Sequence, residues 1–276
     1  MLGKLLKHEF IATGRMIPML YLATLLIAAV TVVTGMLDVG AVGVLSAVFL
    51  LLAGIVVIVV TYVVIIARFY KSVCSSEGYL THTLPVSGGK IIASKLIPAF
   101  MWLVVSMGVM LAAIFGFILL IGNETGQDLF AIIGSAFDTF GVSGGVVWQY
   151  FAFFAGAVIL QSLCFLAVAY FSMTLANIRP FQTHNAIVMS IVIYLTVNTI
   201  GQFISLALML LLPFSMNFGV DGISLSFSQM SVVIVNGQSS VVGASIGMGA
   251  FVYQAAVSVI LPVCASRLIN KRFSIK

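Results

Sequence analysis

The stretch Glu77–Lys90, EGYLTHTLPVSGGK, gathers an acid, a histidine, hydroxyls, a proline and a lysine between two long apolar runs. Its last residues raise the question of phosphate binding, because a nucleotide loop of the form GxxxxGK[ST] wraps backbone N–H groups around phosphate oxygens. Leu84 stands where the first glycine is required, and Lys90 is followed by Ile91. ATP binding by that route is excluded.

Hydrolytic chemistry finds no better support. His8, His82 and His184 all fall outside the apolar runs, so no serine within a run has an evident base beside it, and neither an HExxH nor a paired-carboxylate motif occurs. Cys74, Cys164 and Cys264 show no metal-ligand spacing and avoid the acid-bearing loops, which implies neither a metal site nor a disulfide. The chain is expected to catalyse nothing and to bind no cofactor.

A second polar set lies inside an apolar run. Asn198, Gln202 and Ser205 recur at i, i+4 and i+7 and therefore share one helical face, while Gln161 and Gln254 sit in two other runs. Such residues either hold helices together in a membrane or line a path through it. The face is a candidate substrate path.

These groups must be positioned by membrane helices. The chain is 62% hydrophobic and only 7% charged, with a mean hydropathy of +1.25, whereas soluble domains carry about a quarter charged residues. A bilayer core about 30 Å thick needs about 20 apolar helical residues. Spans are predicted at about 16–37, 42–67, 96–121, 147–175, 186–212 and 241–265, continuous and without the alternation of a barrel strand.

Charge decides their orientation. All twelve Lys and Arg residues lie in four segments: Lys4, Lys7 and Arg15; Arg68, Lys71, Lys90 and Lys95; Arg179; and Arg267, Lys271, Arg272 and Lys276. The intervening loops hold Asp38, then Glu124, Asp128 and Asp138, then Asp221, with no cation. By the positive-inside rule both termini are cytoplasmic, and so is Glu77–Lys90. A missed or extra span would scatter cations to both sides.

In residues 1–15 and just beyond, Leu2, Leu5, Leu6, Phe10, Thr13 and Ile17 fall on one helical face and Lys4, Lys7, His8 and Arg15 on the other. That pattern suits a helix lying in the headgroup layer, and the segment lacks the features of a secretory signal. Glu9 interrupts the apolar face, so it either snorkels to water or meets a protein partner. Leu129, Ile132, Ile133, Ala136, Phe137 and Phe140 predict a second amphipathic helix, ended by GVSGG, resting on the outer leaflet. The third outer segment, Pro213–Gly243, contains MSVVIVNG, too short to span, and suggests partial helices or short strands. With no internal repeat, residues 1–276 read as one all-α polytopic domain.

This order of parts, a basic N-terminal interfacial helix, two spans, a polar cytoplasmic segment and four more spans, resembles the permease subunits of bacterial type-2 ABC exporters. In that family the second-to-third loop characteristically reads as an acid, a Gly, hydroxyl and apolar residues, a Leu or Thr before Pro, and a Lys leading the third span. Here Glu77, Gly78, Tyr79, Leu80, Thr81, Thr83, Leu84, Pro85, Val86 and Lys95 occur in that order, and the opening LLKHEF looks like the start of many such permeases.

The resemblance implies that residues 72–90 form a coupling segment, with Glu77, Gly78, Tyr79, Leu80, Thr81, Leu84 and Pro85 seated in a groove of a separate ATPase subunit. Arg179 and Pro180, in the turn NIRPFQTHN, would make a second, smaller contact. Physically, Gly78 permits close approach, Tyr79, Leu80 and Leu84 can fill a groove, Pro85 ends a helix, and Glu77 can pair with a basic group. The resemblance thus implies export of a peptide, lipid or drug-like substrate, with ATP and Mg on the partner ATPase. A second permease copy or a sister permease would complete the complex in the cell membrane, with no nucleic acid involved. Two other readings compete with it: a non-transporting subunit that relays ATPase motion in peptide sensing or resistance, and a stand-alone channel or carrier.

Overall fold

The computed structural model of the chain describes residues 2–36, 41–74, 87–125, 131, 134–135, 144–178, 185–219, 222–227 and 244–272. Seven long or medium helices dominate: α1 (Leu2–Thr13), α2 (Ile17–Met36), α3 (Ala41–Phe69), α4 (Gly88–Thr125), α5 (Gly144–Ala176), α6 (Ala186–Leu211) and α7 (Gly249–Arg272). A π-turn, Tyr70–Cys74, prolongs α3. The six helices from α2 to α7 are long and apolar enough to cross a bilayer, so the chain is a multi-pass helical membrane protein.

The starts of two spans differ most from the sequence expectation. The third span starts at Gly88 rather than near Leu96, since the Ser87 carbonyl accepts from the N–H groups of Lys90 and Ile91 and opens the helix there. The Gly88 N–H donates to Asn270 Oδ1 at 2.8 Å. A hydropathy window misses these turns because they carry Lys90 and Lys95. At 38 residues, α4 is about 57 Å long at 1.5 Å per residue, well beyond the bilayer core.

The sixth span starts at Gly249 rather than near Val241, because β3 (Ala244–Gly247) takes the intervening residues into a sheet. With β1 (Ser215–Gly219) and β2 (Gly222–Ser226) it forms an antiparallel sheet of order β2-β1-β3, an addition to the all-α expectation. The described residues of the third outer segment, 213–219 and 222–227, include two short strands, and MSVVIVNG lies outside the described residues. β2 opens with Gly222 at φ 114°, a conformation that L side chains rarely adopt. The amphipathic segment Leu129–Phe140 lies largely outside the described residues.

The chain divides into two compact units, Met1–Ile132 with Ile269–Lys276, and Ile133–Leu268. In the first, α3 and α4 pack along their length, and the buried face of α3 recurs at three- and four-residue intervals: Gly43, Ala47, Leu50, Gly54, Val57, Thr61, Ile65 and Phe69. Small residues set the closeness of the pair, since a Cβ added at Gly54 would stand 2.9 Å from Ala113 Cβ. Hydroxyls bridge the helices where apolar packing alone would leave them unspecified. Tyr21 Oη and Ser106 Oγ lie 2.8 Å apart, Thr61 Oγ1 and Ser106 Oγ 2.9 Å, and Thr31 Oγ1 donates to Ser46 O at 3.2 Å.

Helix α1 lays its less exposed face, including Leu5, Leu6, Glu9, Phe10 and Thr13, toward the protein and packs on α4. Phe10 sits 6.4 Å from the Trp102 ring, and Trp102 Nε1 donates to Thr13 Oγ1 at 2.8 Å. The amphipathic face expected from sequence is therefore present, with α4 as a partner for it.

In the second unit α5 and α6 pack together, and the C-terminal half of α5 is buried on all sides from Leu166 to Tyr170. Its N-terminal half holds the sheet. Phe153 and Phe154 surround Phe218 of β1, and Tyr150 Oη donates to the Gly219 carbonyl at 2.5 Å. Phe153 also meets Phe251 of α7 edge-on at 5.3 Å.

Candidate functional site

The residues assigned to ATPase docking, Glu77, Gly78, Tyr79, Leu80, Thr81, Leu84, Pro85, Arg179 and Pro180, lie outside the described residues. What flanks the first group is described: α3 with its π-turn runs up to Cys74, and Ser87 opens α4.

Those two flanks are joined by a charge cluster. Glu9 of α1 accepts from Arg68 Nε through Oε2 at 3.0 Å and from Lys95 Nζ through Oε1 at 2.7 Å. Lys95 Nζ also donates to Ser72 Oγ in the π-turn at 2.7 Å. Lys95 lies about two turns into α4, and its side chain is only 7% exposed, against 17% for Glu9 and 34% for Arg68. A cation withdrawn this far from water is retained only when paired and hydrogen-bonded, and Glu9 and Ser72 supply both. Glu9 thus meets a partner within its own chain.

Sequence reasoning placed Arg68 and Lys95 among the loop cations and did not join them to Glu9. The available signal was the lone acid on an otherwise apolar amphipathic face, which demands a cation, together with cations at the ends of the two spans bracketing the polar loop.

The structure brings the residues of the candidate path together. Asn198, Gln202 and Ser205 of α6 line a cavity of about 220 Å³ with Gln161 of α5 and Gln254 of α7. Gln254 Nε2 donates to Gln161 Oε1 at 2.6 Å, while Gln254 Oε1 is shut off from solvent with no hydrogen-bond partner. Tyr253 and Cys164, which sequence reasoning left aside, also line it, as do Val168, Val197, Leu206 and Met209. Tyr253 Oη stands directly against Gly201, where a Cβ would strike it. This explains a glycine in mid-helix between Asn198 and Gln202.

A second hollow, of about 640 Å³, is an apolar groove among α2, α3 and α4 lined by Ala28, Gly35, Leu50, Gly116 and Leu120, with Tyr21 at one end. Its walls carry no predicted path residue. Among the described residues, no group of three or more His, Cys, Asp and Glu side chains is placed to hold a metal ion.

No family model matches this chain, and no curated protein or solved structure matches it either. The chain's distinctive chemistry lies in the clasp and the amide-lined cavity. One ties together the ends of a polar connector, and the other offers uncharged hydrogen-bonding groups within a bundle of apolar helices.

Proposed function

We propose that the chain is the permease subunit of an ATP-driven exporter of the type-2 ABC class, moving a substrate by motion received from a separate ATPase subunit. The observation that carries this reading is the Glu9 clasp. One carboxylate holds both helices that bracket Glu77–Pro85, through Arg68 on α3 and Lys95 on α4. A displacement of that connector would reach α1, α3 and α4 as one braced body rather than dissipate in two independent helix ends. ATP and Mg bind the ATPase in this scheme. Both termini and the connector face the cytoplasm, where the positive-inside rule puts the chain's cations.

The amide cavity among α5, α6 and α7 serves as part of the substrate path. Primary amides in lipid-exposed positions are costly, so a cluster of four is best accounted for by a surface that meets cargo, water or a second permease. The partner subunits follow from this scheme: two ATPases and a second permease copy or sister chain.

Co-purification tests the reading. A tagged chain extracted in mild detergent should bring an ATPase with it, and Glu77→Ala, Gly78→Leu or Leu84→Asp should release that ATPase while leaving the chain folded. Recovery of the tagged chain without an ATPase would overturn the proposal, as would undiminished assembly and ATP turnover in all three variants.

A further inference from the structure

Helices α2 and α4 meet at two places and stand apart between them. Toward the N-terminal end of α2, Tyr21 Oη donates to the Trp102 carbonyl at 3.2 Å and lies 2.8 Å from Ser106 Oγ. At its other end the two helices come so close that a Cβ on Gly35 would stand 2.6 Å from Leu120 Cδ2. Between these pins lies the hollow of about 640 Å³, with Leu50 of α3 in its wall. Thr24, Ala28, Ala112, Ala113 and Gly116 line it as well. Residues this small usually let membrane helices pack closely, yet here they border open space.

The hollow offers nothing to hydrogen-bond. Of the residues that line it, Tyr21 and Thr24 have the polar side chains; Thr24 Oγ1 donates to the Tyr21 carbonyl at 2.8 Å, and Tyr21 Oη is spent on Trp102 and Ser106. A water held in a cavity needs about two to four polar partners, so water is not held here. An empty hollow would forfeit the dispersion contacts of every side chain around it. Hydrocarbon is the occupant that satisfies both conditions.

Depth and size select which hydrocarbon. From Tyr21 to Gly35 the hollow extends about 21 Å along α2 at 1.5 Å per residue, inside a bilayer core about 30 Å thick. A spanning helix from a second copy, about 10 Å across, would take up about 1,600 Å³ over that length, more than twice the space. A single linear chain fits instead. Access is from the bilayer: Leu25 and Val32 on the rim are 65% and 47% exposed and continue the lipid-facing surface of α2, whereas Leu50 and Ala113 are buried at the floor.

We propose that the hollow between α2 and α4 holds one acyl chain of a bilayer phospholipid as a resident wedge. The predicted path residues line the other cavity, so this lipid is separate from any transported substrate, and its binding does not depend on the permease reading.

Photolabelling tests it. The full chain is placed in nanodiscs of palmitoyl-oleoyl-phosphatidylcholine doped with the same lipid carrying a diazirine on its acyl chain, irradiated, and mapped by peptide mass spectrometry. Adducts are expected on Ala28 and Ala112 in the hollow, and also on Leu22 and Leu26, exposed positions of α2 outside it. Ala28→Phe fills the space and should abolish the Ala112 adducts while those on Leu22 and Leu26 persist. Ala112→Phe, from the facing helix, should abolish the Ala28 adducts and keeps the test decisive should the first variant fail to elute as a single species. Excess unlabelled palmitic acid should leave the hollow's adducts in place. Adducts on Leu22 and Leu26 with none in the hollow, hollow adducts that persist in a folded variant, or their displacement by palmitic acid would overturn the proposal. A second copy as the occupant would give the first of these outcomes together with a disulfide-linked dimer of Ala28→Cys.

Discussion

Lys95 donates from Nζ to Glu9 Oε1 across 2.7 Å, joining α4 to the N-terminal helix α1 at a depth where the lysine side chain is 7% exposed. The contact is unequal for its partners. Arg68 is about one-third exposed and can turn to water, but Lys95 is buried and, among the described residues, meets Glu9 and Ser72.

Removal of the carboxylate should therefore cost what a stranded buried ammonium costs, about 3 to 5 kcal/mol. Glu9→Ala is expected to lower the unfolding midpoint of the purified chain sharply. The double replacement Glu9→Leu with Lys95→Met should recover most of the loss, because it removes the orphan along with its partner. Thermal unfolding followed by Trp102 fluorescence in detergent would check this. Equal midpoints for Glu9→Ala and the parent chain would mean that Lys95 finds water.

The hydroxyl bridge across α2, α3 and α4 supplies a smaller, separable energy. Ser106 is fully buried and meets Tyr21 Oη at 2.8 Å and Thr61 Oγ1 at 2.9 Å. Side-chain hydrogen bonds between membrane helices average about 0.6 kcal/mol in double-mutant cycles. A cycle of Tyr21→Phe and Ser106→Ala should return a coupling of that size, and Thr61→Val should couple to Ser106→Ala in the same way. Additive losses would place water, rather than the partner hydroxyl, on Ser106.

Much of this architecture was legible from composition, and the reason is physical. A bilayer leaves few ways to satisfy backbone groups, so apolar runs of about 20 residues name the spanning helices. The amphipathic face of α1 and the common face of Asn198, Gln202 and Ser205 were readable for the same reason, since helical periodicity is local. The long-range pairings were not. Nothing local to Glu9 says that its partners stand 59 and 86 residues away, nor that Ala244–Gly247 would pair with β1 instead of starting α7. Hydropathy also starts the third span too late, since it scores Lys95 as solvent-seeking although the Glu9 carboxylate neutralises it.

The α3–α4 seam should respond to single carbon atoms. A Cβ at Gly54 would press on Ala113 Cβ at 2.9 Å and on the Met110 backbone at 3.5 Å, neither of which can swing away. Gly54→Ala is expected to destabilise by about 1 to 3 kcal/mol through overpacking. Gly108→Ala on the facing helix meets nothing within 4 Å and should be neutral or stabilising by up to about 1 kcal/mol, as helix propensity alone dictates. Unfolding midpoints of the two variants, measured side by side, separate close packing from a general glycine effect; a shared sign would show that propensity governs both.

Gly201 offers the corresponding test at the cavity. The atom that a new Cβ would strike is Tyr253 Oη, the free end of a ring on the neighbouring helix, so Gly201→Ala displaces a side chain and not a backbone. Stability should fall by no more than about 1 kcal/mol, since a flexible end yields where a packed helix cannot. Tyr253→Phe, which removes the hydroxyl that the new methyl strikes, should recover that loss of stability when combined with Gly201→Ala. If the double variant unfolds as early as Gly201→Ala alone, the methyl acts on the α6 backbone and not on the tyrosine.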